Sequence, residues 1–227
     1  MKNSIPAITI GIDLGDKFHA ICVLDQEGGV LEQRSITNHK ESIRRLSHKY
    51  PSARMVMETG THSPWISRML IDLKHETLVA NARKLRAISA NNRKSDEADA
   101  EILARIGRVD TKLLSPIQHG TEEHQRDLLQ VKLRDTLVRQ RVLLISTVRG
   151  LLKSLGIQSK SPSSACFTKK LIESLIEHHS DALKLVDPML DIIDSLSEKI
   201  KELDKKLNEL ADKKYPETQQ INRDSLV

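Results

Sequence analysis

Thr9-Ile10-Gly11-Ile12-Asp13-Leu14-Gly15 decides the fold: an apolar run that ends in one carboxylate and a glycine turn. Ile8, Ile10 and Ile12 alternate with other residues, and Ala20-Ile21-Cys22-Val23-Leu24 supplies a second β-rich run. Gly15-Asp16 punctuates the interval, so the two runs read as an antiparallel hairpin. A strand buried on both faces has little reason to carry an ionised side chain, because desolvating a lone carboxylate costs several kcal/mol or shifts its pKa. Asp13 therefore points into a solvated cleft or binds a cation; the plainer alternative is a turn aspartate that merely ends the strand.

Outward from this hairpin, Gly28-Gly29 marks another turn, and residues 30–37 form a third, more polar strand suited to a sheet edge. Asn38 is a candidate cap for a helix over residues 39–50, with Ile43 and Leu46 on one face and Pro51 after its end. Arg54-Met55-Val56-Met57-Glu58, followed by Thr59-Gly60, repeats the first pattern: an apolar run closing on a carboxylate beside glycine. Ser63-Pro64 opens a helix to about Leu73, with Ser63 as cap and Pro64 at the first position, and residues 77–80 give a short strand. Three strands in a meander followed by strands joined through helices is the order of an RNase H-like α/β fold.

A third acidic feature is Arg93-Lys94-Ser95-Asp96-Glu97-Ala98-Asp99-Ala100, at the start of a helix running to about Ile106. On a helix, Asp96 and Asp99 share a face with Cβ atoms roughly 5–6 Å apart, unless Asp96 is itself the cap. The alternative is a solvated acidic first turn favoured by the helix dipole. Four carboxylates, Asp13, Glu58, Asp96 and Asp99, suit a pair of Mg2+ ions, with Mn2+ also possible. Such a pair would offset their mutual repulsion and serve phosphodiester transfer. Arg83, Lys84, Arg86, Arg93 and Lys94 surround the same helix and are candidates for nucleic-acid phosphates.

Composition narrows the field. Lys and Arg number 36 against 31 Asp and Glu, for a net charge of +5, a modest excess that fits a polyanion partner without requiring one. Aromatics make up only 2 % of the chain, with Trp65 the single tryptophan, which argues against base-stacking platforms. Cys22 and Cys166 have no metal-ligand spacing, and a reduced cytoplasm is the expected compartment. The N-terminal apolar run is broken by Pro6, Gly11 and Asp13, so neither a signal peptide nor a membrane span is expected there.

The second half reads as helical. Thr121 caps a helix to about Leu155 in which Leu133, Leu137, Leu144, Val148, Leu151 and Leu155 form one stripe, closed by Gly156. A serine-rich loop over residues 157–168 and a short helix over 169–178 follow. Asp187-Pro188 is then expected to begin a long helix as cap and first residue. Val186, Met189, Ile193, Leu196, Ile200, Leu203, Leu207 and Leu210 alternate spacings of three and four, as a coiled-coil seam does. Leu190 and Ile192 lie off that seam. The expectation is a homo-oligomer, a dimer or higher, through this region, with packing inside one chain as the competing arrangement.

Gly11-Ile12-Asp13-Leu14-Gly15, the block from Met57 to Trp65, and Lys94-Ser95-Asp96-Glu97-Ala98-Asp99-Ala100 with Leu103-Ala104 resemble, in order and spacing, the motifs of DEDD transposases. These are the insertion sequence 110 family and the related pilin-gene invertases. The resemblance covers roughly residues 8–155, since the helix from Glu122 to Leu155, with Arg134, Arg139 and Arg149, is also similar to the family's next segment. It implies a RuvC-like catalytic domain over residues 1–115, a helical, coiled-coil region over 116–215 and a tail over 216–227. It further implies a site-specific DNA recombinase with Asp13, Glu58, Asp96 and Asp99 as an Mg2+-binding tetrad, and a non-coding RNA that guides the choice of DNA. Arg134, Arg139 and Arg149 join the expected nucleic-acid contacts. Family members carry a further C-terminal domain with a catalytic serine; none of its motifs occurs here, so a shortened chain, inactive by itself, is expected.

Two other classes compete. Gly-Ile-Asp-Leu-Gly before a hairpin also opens actin-like sugar kinases and chaperone ATPases, but the second phosphate turn and the adenosine motif they need are missing from the sequence. The other is a non-catalytic module that binds RNA or DNA and dimerises.

Overall fold

The computed structural model describes residues 6–85, 95–158 and 166–215. The chain divides into two units, residues 1–123 and 124–227. The first is built on a five-stranded sheet in the order β3-β2-β1-β4-β5. Its strands are β1 (Thr9–Leu14), β2 (Phe18–Leu24), β3 (Val30–Thr37), β4 (Arg54–Glu58) and β5 (Glu76–Ala80). β1, β2 and β3 form the expected antiparallel meander, whereas β4 pairs with β1, and β5 with β4, in parallel. Mixed pairing, with helices on both faces, makes this an RNase H-like α/β domain followed by a helical region.

Strand alternation assigns each face its partner. Ile10, Ile12, Ile21, Val23, Met55 and Met57 point to one side, where they pack with Ile43 and Leu46 of α1 (Lys40–Lys49) and Ile66 and Leu70 of α2 (Ser63–Asp72). Ala20, Cys22 and Leu24 point to the other, against Ala100 and Ala104 of α4 (Asp96–Val109); Val56 and Ala80 meet Leu103 there. A four-residue helix α3 (Ala82–Leu85) follows β5. The β3 edge is tied to α1 through Glu32, which accepts from Lys49 Nζ at 2.7 Å and from Tyr50 Oη. The β5 edge is partly covered, since Ile117 N–H donates to the Val79 carbonyl at 2.9 Å.

Two caps differ from expectation. α1 starts after His39, and the Asn38 amide is used elsewhere; α2 starts at Ser63, so that Pro64 is its second residue and His62 its cap. Both shifts come from side chains that find better partners in neighbouring loops than in the adjoining helix end.

The second unit comprises α5 (Glu122–Ser154), α6 (Phe167–His178) and α7 (Ser180–Lys214). α5 and α7 run antiparallel: Arg134 Nε pairs with Asp204 at 2.8 Å, and Asp127 accepts from Lys214 Nζ and Tyr215 Oη at 3.3 and 3.0 Å. Gly156 adopts φ +76° just after α5, and the expected helix stop is there. The buried apolar residues of α5 are Ile145, Val148 and Leu152: Val148 is buried and Leu144 partly so, as expected, whereas Leu133, Leu151 and Leu155 are about half exposed and Ile145 and Leu152 take their place. Two leucine-rich arcs lie side by side on this helix, and the contacts with α6 and α7 choose between them.

α7 also departs from the reading by sequence. It begins at Ser180, eight residues before Pro188, which sits inside the helix. Proline removes one backbone bond there, yet Val186 and Leu190, buried on either side of it, hold the helix together by packing in the same cluster as Phe167 and Leu171. Val186, Ile193 and Ile200 are buried as the seam predicts, and Leu190 joins them although its spacing placed it outside. The packing of α7 on α5 and α6 within one chain accounts for that part of the seam. Among the described residues no helix is long and apolar enough to cross a membrane.

Candidate metal centre

Asp13 is the penultimate residue of β1, and Glu58 is the last of β4. Because Ile12 pairs with Met57 in parallel register, the two carboxylates follow one step later on neighbouring strands. Alternation puts Asp13 on the face of Gly11, and Glu58 on the face of Val56, which is the side covered by α4. This is the crevice beyond the carboxyl ends of adjacent parallel strands, where open α/β sheets place ligands.

α4 reaches the sheet closely enough to deliver its own acids. A Cβ built on Gly11 would stand 1.9 Å from the Ala100 carbonyl oxygen, and one on Gly107 would stand 2.4 Å from Val56 Cγ2. Small residues at 100, 104 and 107 thus set the helix down on β1 and β4. Its far end is anchored by buried Arg54, which donates to the Gly107 carbonyl at 2.8 Å and to Glu76 at 2.9 Å. Arg105 and Arg108 add donations to the Gly28 and Gln26 carbonyls. The inward stripe Ala100, Leu103, Ala104, Gly107, carried back by one turn, arrives at Asp96 and Asp99. Ser95 is the cap, its Oγ accepting from Ala98 N–H at 3.2 Å, so Asp96 is the first helical residue and the two aspartates do share the first turn. The positive end of the α4 dipole faces the same crevice.

The electrostatics register this convergence at Asp13, which is half-buried. Burial, then Asp96, Asp99 and Glu58, push its carboxyl up to about 6, against a weaker downward pull from a Leu14 backbone hydrogen bond. The donor set, hard carboxylate oxygens that repel one another, has the chemistry of a divalent-cation site. Among the described residues, no three His, Cys, Asp or Glu side chains are close enough to hold an ion as they stand. The donors fit by type and by placement at one crevice, and a bound cation would still have to draw them together.

The loops leaving β1 and β4 meet at the carboxyl ends of these strands, on the side of α1 and α2. Asn38 Nδ2 donates to the Asp16 carbonyl at 3.0 Å and reaches that of Gly15 at 3.4 Å. It also lies 3.2 Å from His62 Nε2, which in turn lies 3.2 Å from Asp16 Oδ1. Trp65 Nε1 donates to His62 Nδ1 at 3.3 Å. His19 is buried in β2 with its ring centroid 6.2 Å from that of His62, and burial lowers its pKa, favouring the neutral imidazole. Thr59 holds the β4 loop to β5 by donating to the Ala80 carbonyl at 2.7 Å. Asn38, His62 and Asp16 were not among the site residues expected from the sequence, where Asn38 read as a helix cap and Asp16 as part of a turn. His62 lies four residues after Glu58 in a quoted motif, and that proximity was the one available signal.

The expected nucleic-acid residues separate into groups. Arg83 and Lys84 are exposed on α3. Arg86, Arg93 and Lys94 lie outside the described residues. In the second unit Arg139 is exposed beside Asp135 at 3.5 Å, while Arg134 is engaged with Asp204 and Arg149 lies over the Phe167 ring at 5.1 Å.

No curated protein matches the chain. A family model described as a transposase, that of the DEDD transposases of the IS110 type, matches residues 10–157, more than half of the chain and the whole span from β1 past the end of α5. The chain belongs to this DEDD transposase family.

Proposed function

We propose that the chain carries out metal-dependent phosphodiester chemistry on DNA, with Asp13, Glu58, Asp96 and Asp99 as the ligands of Mg2+ or Mn2+. The observation that supports this most is the half-buried Asp13, whose carboxyl is raised by burial first and then by the three other acids, drawn from α4 and from β4. A divalent cation bound there supplies neutralisation of developing phosphoryl charge and activation of the attacking oxygen. The chain's own contribution is placement. Parallel pairing of β1 and β4 sets Asp13 beside Glu58, and the Ser95 cap and the close approach at Gly11 set Asp96 and Asp99 above them.

Arg83 and Lys84, with Arg86, Arg93 and Lys94 beyond them in sequence, hold the phosphates of the nucleic acid. Arg139 extends this role along α5; Arg134 and Arg149 would have to share theirs with Asp204 and Phe167. Target choice comes from a non-coding guide RNA. The chain acts as a homo-oligomer through the helical unit, where Leu203, Leu207 and Leu210 of the seam are only half-buried within one chain.

Thermal melting tests the tetrad. A cation at a concentration about 100 times its Kd is expected to stabilise the native state by about 2.7 kcal/mol, and Asp13→Asn to remove most of the gain. A wild-type melting curve indifferent to Mg2+ and Mn2+ overturns the proposal.

A further inference from the structure

The aromatic residues of the chain are two Phe, two Tyr and one Trp, and all of them lie among the described residues. Phe167 is fully buried, Tyr50 and Tyr215 donate to Glu32 and Asp127, and Trp65 packs against the core of the sheet while donating to His62. Phe18 stands apart. Its surface is 57 % exposed, and a phenyl ring has no polar atom to offset the contact with water.

The hairpin gives this exposure a direction. Asp13 lies directly opposite Ala20 in the β1–β2 register, and cross-strand partners share a face of the sheet. Ala20, Cys22 and Leu24 carry that face of β2 under α4. Phe18, two residues before Ala20, is on the same face, while buried His19 between them turns its ring the other way, toward His62. Phe18 is therefore the diagonal neighbour of Asp13. Pairs of this kind lie about 7–8 Å apart, within reach of an aromatic ring. Because β2 and β4 flank β1 on opposite sides, Asp13 has Glu58 on one hand and Phe18 on the other. The cover supplied by α4 ends between Ala20, which is buried, and Phe18.

We propose that Phe18 is a substrate-contacting residue whose ring stacks on an unpaired base of the DNA strand that enters the carboxylate crevice. This rests on the metal-dependent reading above and deepens it, since the strand must be open where it meets the acids. In a duplex each base face is covered by the next base, so a ring beside the site can meet only a base that has left the stack. Every base has a π-face, so the contact fixes the strand in place without choosing its sequence. With so few aromatics there is no platform for a run of bases; one ring takes one base.

The test is the affinity of the full chain for two fluorescein-labelled DNAs, one fully paired and one with a central run of unpaired bases. It is measured by anisotropy with Ca2+ present over a series of salt concentrations, together with the melting temperature of each variant. Phe18→Ala is expected to weaken binding to the open DNA about tenfold, within the range of one base–aromatic stack, and to leave binding to the paired DNA unchanged. The slope of log affinity against log salt should stay that of the wild type, because no phosphate contact is lost. Phe18→Trp should keep the affinity for open DNA, and Phe18→Leu, which retains apolar bulk without a π-face, should lose most of it. Since the ring is exposed, the alanine and leucine variants should melt as the wild type does. Equal weakening on both DNAs, or full affinity in the leucine variant, overturns the stacking assignment. If Phe18→Ala binds open DNA as the wild type does, while Mg2+ raises the melting temperature of wild type and not of Asp13→Asn, the Phe18 assignment fails and the tetrad stands. If the wild type binds neither DNA, the reading of DNA chemistry and this inference fall together.

Discussion

Gly11 of β1 and Ala100 of α4 are in backbone contact: a methyl group on Gly11 would stand 1.9 Å from the Ala100 carbonyl oxygen. That approach lets a helix drop its first-turn aspartates beside a strand-end aspartate two residues further along β1. No side-chain rotation relieves the overlap, because the atom met is backbone. Gly11→Ala is therefore expected to cost about 3 kcal/mol or more, through displacement of α4. Denaturant melts would show the loss, and any variant that still folds should respond less to Mg2+. An alanine variant with wild-type stability would mean that α4 does not sit on β1 in this way.

The acidity of Asp13 gives the cation effect a pH signature. Its carboxyl is raised from 3.8 to about 6, by burial first and then by Asp96, Asp99 and Glu58. The folded state thus holds this proton more tightly than the unfolded chain. The stabilisation is complete below the unfolded value and is lost as pH rises through about 6. Above that, the ionised cluster is under repulsion that a cation relieves. The melting-temperature gain from Mg2+ should be small at about pH 5 and larger at about pH 8, and it should flatten in Asp13→Asn. A gain that is constant across this range would show that the ion binds elsewhere.

Glu32 predicts the opposite sign. Hydrogen bonds from Lys49 and Tyr50, and then from Arg34, lower its carboxyl from 4.5 to about 2, against burial. Its contribution is present above the ordinary value and disappears as pH falls through about 2. Glu32→Gln should be less stable than wild type near neutrality, the gap closing in acid, as read from urea melts over the pH series. The loss should begin at the β3 edge, which hydrogen exchange can localise, because Glu32 ties this strand to the end of α1.

The unfinished part of the α7 seam bears on assembly. Val186, Ile193 and Ile200 are buried within the chain, while Leu203 and Leu207 are only half-buried. Changing Leu203 and Leu207 together to glutamate should reduce the mass in solution by light scattering if these residues pair between chains, with the far-ultraviolet spectrum of the sheet domain kept. An unchanged mass assigns the whole seam to packing inside one protomer.

Short-range patterns were legible in the sequence because their causes are local. Alternation gave the strands, glycine and acidic residues gave the turns, and the apolar runs ending at Asp13 and Glu58 located both strand ends. The spacing of Asp96 and Asp99 placed them on one helical face once Ser95 proved to be the cap. What depended on contacts distant along the chain was not legible. Asn38 carried the signal of a helix cap, and only the arrival of the Gly15-Asp16 turn and of His62, 24 residues away, gave its amide other partners. The inward face of α5 was ambiguous because it has leucines on two adjacent arcs, and the choice fell to α6 and α7. Pro188 reads as a helix start by its backbone chemistry alone. Burial of Val186 and Leu190 around it outweighs one missing hydrogen bond, and burial exists only once the helices have packed.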